Sequence, residues 1–366
     1  MKTQEIMTEI FLALSILFLL MSVLPSFRIT HWSVKTFDYI RIQLLFIQLI
    51  VLIGSFFLFK NENALIYLSQ LVLFISVTYQ LHIVLPYLSI SFIFKGKESA
   101  NNDDKSKEIS IISSNVLQKN QEYHKLIELV RSIEPDILLT TETNKEWEEA
   151  LKVLEDDFSF NHKIALENRY GMHFYTKLKA IEIKEHFLLS EETPSIEAEL
   201  EDNKGNRFVF WGIHPPPPSP TEKPTSKQND AELMKVAKLI AETGYPSIVV
   251  GDFNDVCWSK STKLFAKISK LRDVRRGRGI IGTFPVKPGI FRFPLDLIFA
   301  SKEITVTQIK RLPEIGSDHL PLLSKFSVLS SSSSTSKKMD ADLKQEADDI
   351  IEEGHKAVEE EEGDNS

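Results

Sequence analysis

The chain has 366 residues, a formal net charge of −8 and a single cysteine, Cys257. One cysteine excludes an intramolecular disulfide, and with it the class of small secreted proteins that disulfides hold together. The acidic excess lies almost entirely in residues 331–366, so the middle of the chain is close to neutral and lacks the charge of a protein that binds DNA by electrostatics alone.

Residues 1–97 are typical of a membrane domain. Apolar runs occupy about 10–25, 38–59 and 64–94, and about 20 apolar residues are enough to cross a bilayer. The first run has the length of a signal-peptide core, but no small-residue cleavage site follows it and two more apolar runs come next. We therefore predict three transmembrane helices, with the lipid bilayer as a partner, in preference to a buried helical hairpin of a soluble protein.

Basic residues near the ends of these runs indicate the orientation. Three spans place the first loop and the C-terminal part of the chain on the same side. That side carries five basic residues and the opposite side two: Arg28, Lys35, Arg41, Lys95 and Lys97, against Lys2 and Lys60. The count favours a C-terminal domain in the cytoplasm.

A polar linker at 98–107 precedes a folded domain that we place at residues 108–328. Its predicted strands are EISIISSNV, DILLTTE, KIALE, MHFYTK, RFVFWGIH, SIVVGDF, PLDLIFA and LPLLSKF. Its predicted helices are YHKLIELVRSIEP, beginning from Asn120, then NKEWEEALKVLED and DAELMKVAKLIAETG. Many strands with helices between them predict an α/β fold whose sheets are covered by helices.

The last segment, 329–366, starts with the Ser-rich linker LSSSSSTS and continues as an acidic tail. Apolar residues recur in the tail at helix-like spacing, so it is either a short amphipathic helix or disordered. Disorder is the preferred interpretation, and the run EEEE argues against metal or DNA binding there.

Polar residues suited to metal and phosphate chemistry stand at or near the ends of the predicted strands. They are Asn115, Glu142, His214, Asp252, Asn254, Asp296, Asp318 and His319. A single acid at a strand end is more often a turn or cap residue. The whole set instead indicates a site, because α/β sheets build their sites at strand ends.

The residue types indicate hydrolysis of a phosphate ester. Oxygen ligands such as Glu142 and Asn115 suit Mg²⁺ or Mn²⁺, and the chain has no CxxC or HExxH motif for zinc. Such an ion would neutralise the phosphate oxygens. Asp252 is suited to deprotonate the attacking water, and Asp296 with His319 supplies an acid–histidine pair. Asn254 suits hydrogen bonding to a phosphorane-like transition state.

The segments SSNV, TTET, GIHP, VVGDFND, PLDLIFAS and GSDHLP, in this order across 108–328, resemble the endonuclease/exonuclease/phosphatase superfamily. That superfamily includes DNase I, abasic-site endonucleases, inositol polyphosphate 5-phosphatases and neutral sphingomyelinases. The three predicted spans, together with NRYGMHFYTKL, GDFNDVCWSKSTKLF and FRFPLDLIF, resemble its membrane-anchored, YafD-like bacterial branch. The resemblance implies a four-layer α/β sandwich (DNase I-like) after the three transmembrane helices, in a bacterial inner membrane.

The resemblance also implies a metal site. Glu142 would be the main Mg²⁺ ligand, with Asn115 beside it and Asp318 completing the metal side. One position departs from the pattern, because abasic-site endonucleases usually have an acid where this chain has Leu117. The implied metal shell is one carboxylate poorer, which argues against abasic-site specificity.

The remaining implied roles are catalytic. Asp252 would be the base that activates water, and Asn254 would hold the phosphate. His319 would contact the scissile phosphate, with Asp296 as its orienting partner. His214 stands where DNase I-like members have a histidine near the leaving group, and it is a candidate general acid.

Further substrate contacts are predicted at Arg169 and Tyr170, in a turn before Gly171, and at Arg292, four residues before Asp296. A basic set after the Asp252 strand is either a phosphate-facing rim or a solvated surface: Lys263, Lys267, Lys270, Arg272, Arg275, Arg276 and Arg278.

Two functions remain open at this point. The first is a membrane-anchored, Mg²⁺- or Mn²⁺-dependent phosphoesterase acting on nucleic acid, a nucleotide or a lipid head group. The alternative is a catalytically inactive, membrane-tethered binding scaffold with the same fold. The presence of the complete set of expected site residues favours the enzyme.

Overall fold

The computed structural model describes residues 2–59, 63–89, 108–329 and 340–364. The predicted linker at 98–107 and most of the Ser-rich segment lie outside these residues. The helices are α1 (Lys2–Val23), α2 (Trp32–Tyr39), α3 (Arg41–Leu58), α4 (Ala64–Val84), α5 (Tyr123–Ile133), α6 (Lys145–Leu151), α7 (Lys227–Glu242), α8 (Lys260–Ser269) and α9 (Ala341–Asp364). The strands are β1 (Ile109–Asn115), β2 (Ile137–Thr141), β3 (Phe160–Ile164), β4 (Met172–Thr176), β5 (Lys179–Phe187), β6 (Pro194–Glu201), β7 (Arg207–Ile213), β8 (Ser247–Asp252), β9 (Arg272–Asp273), β10 (Asp296–Ala300), β11 (Ile304–Arg311) and β12 (Leu322–Val328).

The strands form two mixed sheets that face each other. One has the order β11-β12-β1-β2-β4-β3 and the other β5-β6-β7-β8-β10-β9. Apolar side chains from both sheets fill the space between them, among them Ile111 and Leu139 from the first and Phe210 and Val250 from the second. Helices α5 and α6 cover the first sheet, and α7 and α8 cover the second. The predicted four-layer α/β sandwich is confirmed.

Helices α1 to α4 form a separate unit, which we call the N-terminal bundle. Three segments in it are long and apolar enough to cross a membrane: Glu5–Ser26, Arg41–Leu58 and Ala64–Tyr87. Polar groups inside the bundle bond to one another, as when the Gln48 amide nitrogen donates to Ser22 Oγ at 2.9 Å. Helix α4, which is the third predicted span, ends at Val84 rather than near 94, because Pro86 has no N–H to donate the next helical hydrogen bond.

Helix α2, which the sequence did not predict, is a part of the bundle that packs against the sandwich. Its Lys35 is buried, and Nζ lies 3.4 Å from Asp230 Oδ1 and 3.6 Å from Asp255 Oδ2. Burial by itself would lower the pKa of Lys35, but these aspartates together with Asp38 raise it above its usual value. The indole of Trp258 donates to the Asp38 carbonyl at 2.9 Å. The first loop and the sandwich therefore lie on the same side of the bundle.

The preference for a disordered tail is wrong for residues 341–364, which form α9. This helix packs on α7 so closely that a Cβ on Gly354 would meet the Cβ of Ala231 at 2.2 Å. Its acidic side chains find cations outside the helix: Asp348 pairs with Lys238, Glu361 with Lys223 and Glu353 with Arg28. These cations offset the repulsion on which the prediction of disorder rested.

Strand ends from both sheets meet at one edge of the sandwich. β1 and β2 are parallel, with Asn115 beside Thr141, so that Glu142 follows next to Asn115. β8 and β10 are antiparallel, and their register places Asp252 directly beside Asp296. The segment before β12 returns to the same edge, where Ser317 Oγ donates to the Asn115 carbonyl at 2.7 Å.

Candidate active site

Asn115 joins the two sheets at this edge. Its amide nitrogen donates to Glu142 Oε1 at 2.9 Å and to Asp252 Oδ2 at 3.1 Å. Its amide oxygen accepts the Leu117 N–H at 3.0 Å. In this conformation Asn115 orients two carboxylates, and its own oxygen accepts one backbone hydrogen bond and keeps a second lone pair.

Several residues around the cleft hold a left-handed backbone that side chains other than glycine seldom adopt. Leu117, Glu142, Arg169 and Asn254 have φ values between 50° and 73°. Such residues cost on the order of 1–3 kcal/mol each and persist where the surroundings determine them, which is common at functional sites. The Gln118 N–H donates to Glu142 Oε2 at 3.1 Å and helps to hold this carboxylate in place.

His319 lies between two aspartates. Its Nδ1 donates to Asp296 Oδ2 at 2.8 Å, and its Nε2 lies 3.4 Å from Asp252 Oδ2. Burial would lower the pKa of His319, but Asp252 and Asp296 outweigh it and raise the pKa to about 10. The imidazole is therefore protonated at neutral pH. The ligand atoms of these three residues lie within 4.8 Å of one another, a geometry that also suits a metal ion. Because His319 already contacts both aspartates, we interpret the three residues as groups that transfer protons and bind phosphate and not as metal ligands.

His214 and Asn254 lie on the other side of Asp252. His214 Nε2 is 3.9 Å from Asp252 Oδ2, and its ring packs on Tyr170 with 5.4 Å between centroids. The Nδ1 of His214 is buried and has no hydrogen-bond partner among the residues that the structure describes. The Asn254 N–H donates to Asp252 Oδ1 at 3.0 Å, and its amide donates to the Pro215 carbonyl at 2.9 Å.

The acidic side of the cleft fits a hard divalent cation. Asp318 Oδ1 is buried without a hydrogen-bond partner among the described residues. Burial raises the pKa of Asp318; the nearby His319 opposes this rise, and Glu142 and Asp252 add to it. With Asp296, four carboxylates thus share this site with one imidazolium. An ion bound to Glu142 and Asp318 would supply the missing positive charge through oxygen ligands.

The predicted substrate contacts divide into two groups. Arg169 and Tyr170 line the cleft, and both bond to Glu222, with Nη1–Oε1 at 2.9 Å and Oη–Oε2 at 3.0 Å. The structure does not bring Arg292 into the cleft. Its guanidinium donates to the carbonyls of Pro285 and Val286, at 3.1 and 2.5 Å, so we correct its role to holding this loop.

The basic set does not form a rim of the cleft. Five of its members line a separate cavity beside Pro86 and Tyr87: Lys263, Lys267, Arg272, Arg276 and Arg278. Arg275 is buried and pairs with Asp273 at 3.0 Å.

The sequence missed several residues of the cleft, which has a volume of about 700 Å³. Tyr39 of α2 lines it, as do Phe284, Phe293 and Leu295. The Tyr39 hydroxyl donates to the Asn254 carbonyl at 2.9 Å. The aromatic residues around PLDLIFA are the one sequence signal for these apolar side chains. No sequence pattern near Tyr39 connects it with residues more than 200 positions later.

Comparison with protein families gave a match to the Endonuclease/Exonuclease/phosphatase family over residues 110–319. A comparison with curated protein sequences gave no significant match. Among solved structures, D. rerio TDP2 complexed with a single-strand DNA product is 17% identical, covers 60% of this chain and 99% of its own, and has a TM-score of 0.52. The human nocturnin catalytic domain with bound sulfate is 19% identical, with coverages of 61% and 94% and a TM-score of 0.50. A conserved Enterococcus faecalis protein of unknown function is 19% identical, with coverages of 60% and 100% and a TM-score of 0.50. At these identities the solved structures show a shared fold.

Proposed function

The chain belongs to the endonuclease/exonuclease/phosphatase family and is a hydrolase of phosphate ester bonds, and we propose that it is membrane-anchored and dependent on a divalent metal ion. One observation carries the proposal. Asp318 Oδ1 is buried and unpartnered among the described residues, in a cleft where Glu142 and Asp252 also converge. Such a concentration of carboxylate oxygens supports Mg²⁺ or Mn²⁺ as the cofactor.

The proposed reaction assigns a role to each side chain. Glu142 and Asp318 hold the metal ion, and Asn115 orients Glu142 and Asp252. When bound, the ion would neutralise charge on the phosphate oxygens.

The proton transfers fall to the other residues. Asp252 takes a proton from water while the water oxygen forms its bond to phosphorus and the ester P–O bond breaks. The leaving oxygen receives a proton from His214. Protonated His319, held by Asp296, and the amide of Asn254 bind the phosphate oxygens.

The membrane assignment is supported by the three apolar segments of the N-terminal bundle. We propose an inner-membrane protein whose sandwich faces the cytoplasm. The cytoplasmic side follows from the count of basic residues near the ends of the spans.

The test uses the full chain in detergent and a water-soluble diester, bis-p-nitrophenyl phosphate. We expect turnover with Mg²⁺ or Mn²⁺, its loss in EDTA and its return when the ion is restored. Glu142→Gln and Asp318→Asn should each lower kcat by about 100-fold or more. Glu149→Gln, at an exposed glutamate of α6, is the control and should retain turnover.

A second readout is independent of activity. Mg²⁺ should raise the Tm of the wild-type protein, because a ligand that binds the folded state stabilises it, and this rise should vanish in Glu142→Gln. An inactive wild-type protein across a panel of phosphate esters would instead favour the binding scaffold.

A further inference from the structure

The cleft has an apolar wall to which the N-terminal bundle contributes. Tyr39, at the end of α2, lies with its ring centroid 6.1 Å from that of Phe293. Phe284 continues the wall and packs on the His319 ring at 4.7 Å. The phosphate-binding groups are thus bordered by aromatic side chains, and one of these belongs to α2, which lies between the apolar segments Glu5–Ser26 and Arg41–Leu58.

The loop that carries this wall touches a predicted span. The amide nitrogen of Gln43, the third residue of α3, donates to the Ile290 carbonyl at 3.0 Å. Phe46 and Ile47, one turn further along α3, are 65% and 48% exposed and face outward from the bundle. A helix rises about 1.5 Å per residue, so the loop lies about one turn from side chains that would face lipid.

Two apolar residues stand at the tip of this loop. Ile290 is 76% exposed and Phe291 is 50% exposed, and neither lines the cleft. Adjacent exposed apolar residues are unusual on a surface that meets only water. Their position beside α3 makes them continuous with the outward face of a span, where they would enter the boundary between head groups and acyl chains.

The charges of the cleft do not suit a long polyanion. Among the described residues that line it, the lysines and arginines are Lys119 and Arg169, and Arg169 is already paired with Glu222. The carboxylates of the lining are Glu142, Glu146, Glu222, Asp252 and Asp318. Nucleic acid is held by a track of basic residues along its backbone. A single head-group phosphate needs no such track.

We propose that the substrate is a phosphate ester of a membrane lipid, taken from the bilayer in which the chain is anchored. Ile290 and Phe291 insert into the surface of that bilayer beside the cleft. Tyr39, Phe284 and Phe293 contact the apolar part of the lipid next to its phosphate. This inference rests on the proposed phosphoesterase function and names the substrate class of the same site.

The decisive experiment compares three substrates on the full chain reconstituted into vesicles. The vesicles contain phosphatidylcholine, phosphatidylethanolamine, phosphatidylglycerol and phosphatidic acid, and products are identified by ³¹P NMR and mass spectrometry. The soluble substrate is bis-p-nitrophenyl phosphate, and single-stranded DNA is added in a third arm. We expect Mg²⁺-dependent hydrolysis of a lipid and of the soluble ester.

The loop variant Ile290→Ser/Phe291→Ser should lose lipid hydrolysis by about tenfold or more, because it removes the two apolar side chains that enter the bilayer. Its turnover of the soluble ester should not change. Val153→Ser/Phe160→Ser removes two other exposed apolar side chains, beside the α5–α6 layer, and should retain both activities.

Each other outcome overturns the inference. Hydrolysis of the soluble ester or of DNA without hydrolysis of any lipid removes the lipid substrate but leaves the phosphoesterase intact. Equal loss of both activities in the loop variant shows that the loop supports the site and not the bilayer contact. No hydrolysis of any substrate by the wild-type protein overturns the phosphoesterase itself, and the lipid substrate with it.

A second measurement locates the loop without using activity. The chain's one cysteine, Cys257, is buried, so Phe291→Cys creates an exposed thiol for a fluorescent label. In vesicles, lipids with a shallow nitroxide should quench this label and leave a label at Val153→Cys unquenched. Equal quenching at the two positions would overturn insertion of the loop.

Discussion

Two buried clusters of charge lie near the end of β8, and they differ in how their hydrogen bonds are completed. In the docking cluster, Lys35 meets Asp230 and Asp255, and the hydroxyls of Ser261 and Ser259 donate to these carboxylates at 2.5 and 2.7 Å.

The site cluster contains Glu142, Asp252, Asp296 and Asp318 around His319, and Asp318 Oδ1 is buried without a partner among the described residues. The docking cluster is complete within the chain. The site cluster has four carboxylates for one imidazolium, an imbalance that a cation and a phosphate would correct together.

The largest effect is expected at the centre of the site cluster. Replacing His319 by Ala removes the cation that faces Asp252, and kcat should fall by about 10³-fold, equivalent to about 4 kcal/mol. Asp296→Asn, which keeps the imidazole but weakens its 2.8 Å contact, should have a smaller effect. His186→Ala, at a half-buried histidine of β5 that pairs with Glu197 of β6, should retain turnover. Full activity of His319→Ala would show that His319 takes no part in the reaction.

A comparable loss of stability is expected in the docking cluster. Lys35→Met leaves Asp230 and Asp255 buried without their cation, and breaking a buried pair in this way costs about 3–5 kcal/mol. Urea unfolding of the full chain should show the loss. It should be smaller at pH 5 than at pH 8, because burial raises the pKa of Asp255 to about 6 even beside Lys35, so that its carboxyl can take up a proton at the lower pH. Lys35→Met/Asp230→Asn/Asp255→Asn should recover most of it. Unchanged stability in the single variant would show that the pairs do not hold α2 to the sandwich.

The smallest effect is expected at Glu232 of α7, a buried carboxylate outside both clusters. Its Oε1 accepts from Ser195 Oγ at 3.2 Å, and Oε2 has no partner among the described residues. Burial raises the pKa of Glu232 to about 7 from 4.5, although the bond from Ser195 and the charge of Lys235 oppose the rise. The protonated form is therefore the one that the fold favours.

Because the pKa of Glu232 is raised in the folded state, the free energy of unfolding falls as the pH rises. The stability that protonated Glu232 contributes is complete below about pH 4.5 and is lost as the pH rises through 7. Ionised Glu232 then costs about 3 kcal/mol at pH 8.5, at 1.36 kcal/mol per pKa unit. Glu232→Gln should stabilise the protein at pH 8.5 and have little effect at pH 4.5, as measured by urea unfolding. Glu242→Gln, at an exposed position of the same helix, should show no such dependence.

The sequence predicted the sandwich and the site cluster because both depend on local signals. Apolar strands end in Asn115, Glu142 and Asp252, and strand ends of an α/β fold converge. Helix α5 begins at Tyr123 and not at Asn120, whose amide donates to the Val116 carbonyl at 3.1 Å instead. Strands β5 and β6 were missed because their outward faces are strongly charged, which hides the alternation of apolar residues.

The docking cluster could not be predicted in the same way. A lysine in a short loop between apolar runs indicates which side of the membrane the loop lies on. Nothing near Lys35 in the sequence indicates partners at Asp230 and Asp255. Helix α9 was misjudged for a related reason, since two cations that stabilise it, Lys223 before α7 and Lys238 on α7, lie more than 100 residues away in the sequence. Contacts at such separations become visible only when the fold is known.

The separation of Lys35 from Asp230 also has a consequence for how the protein is made. The two residues are 195 positions apart, and at ~5–20 residues per second the ribosome needs roughly 10–40 s to reach the second after the first. During that interval the loop that carries Lys35 and Tyr39 has no surface to dock on. Tyr39 completes the wall of the cleft. The site is therefore finished only after the sandwich, whose residues line the rest of the cleft, has folded against α2. A nascent chain therefore cannot assemble a complete site before His319 has been made and has left the ribosome.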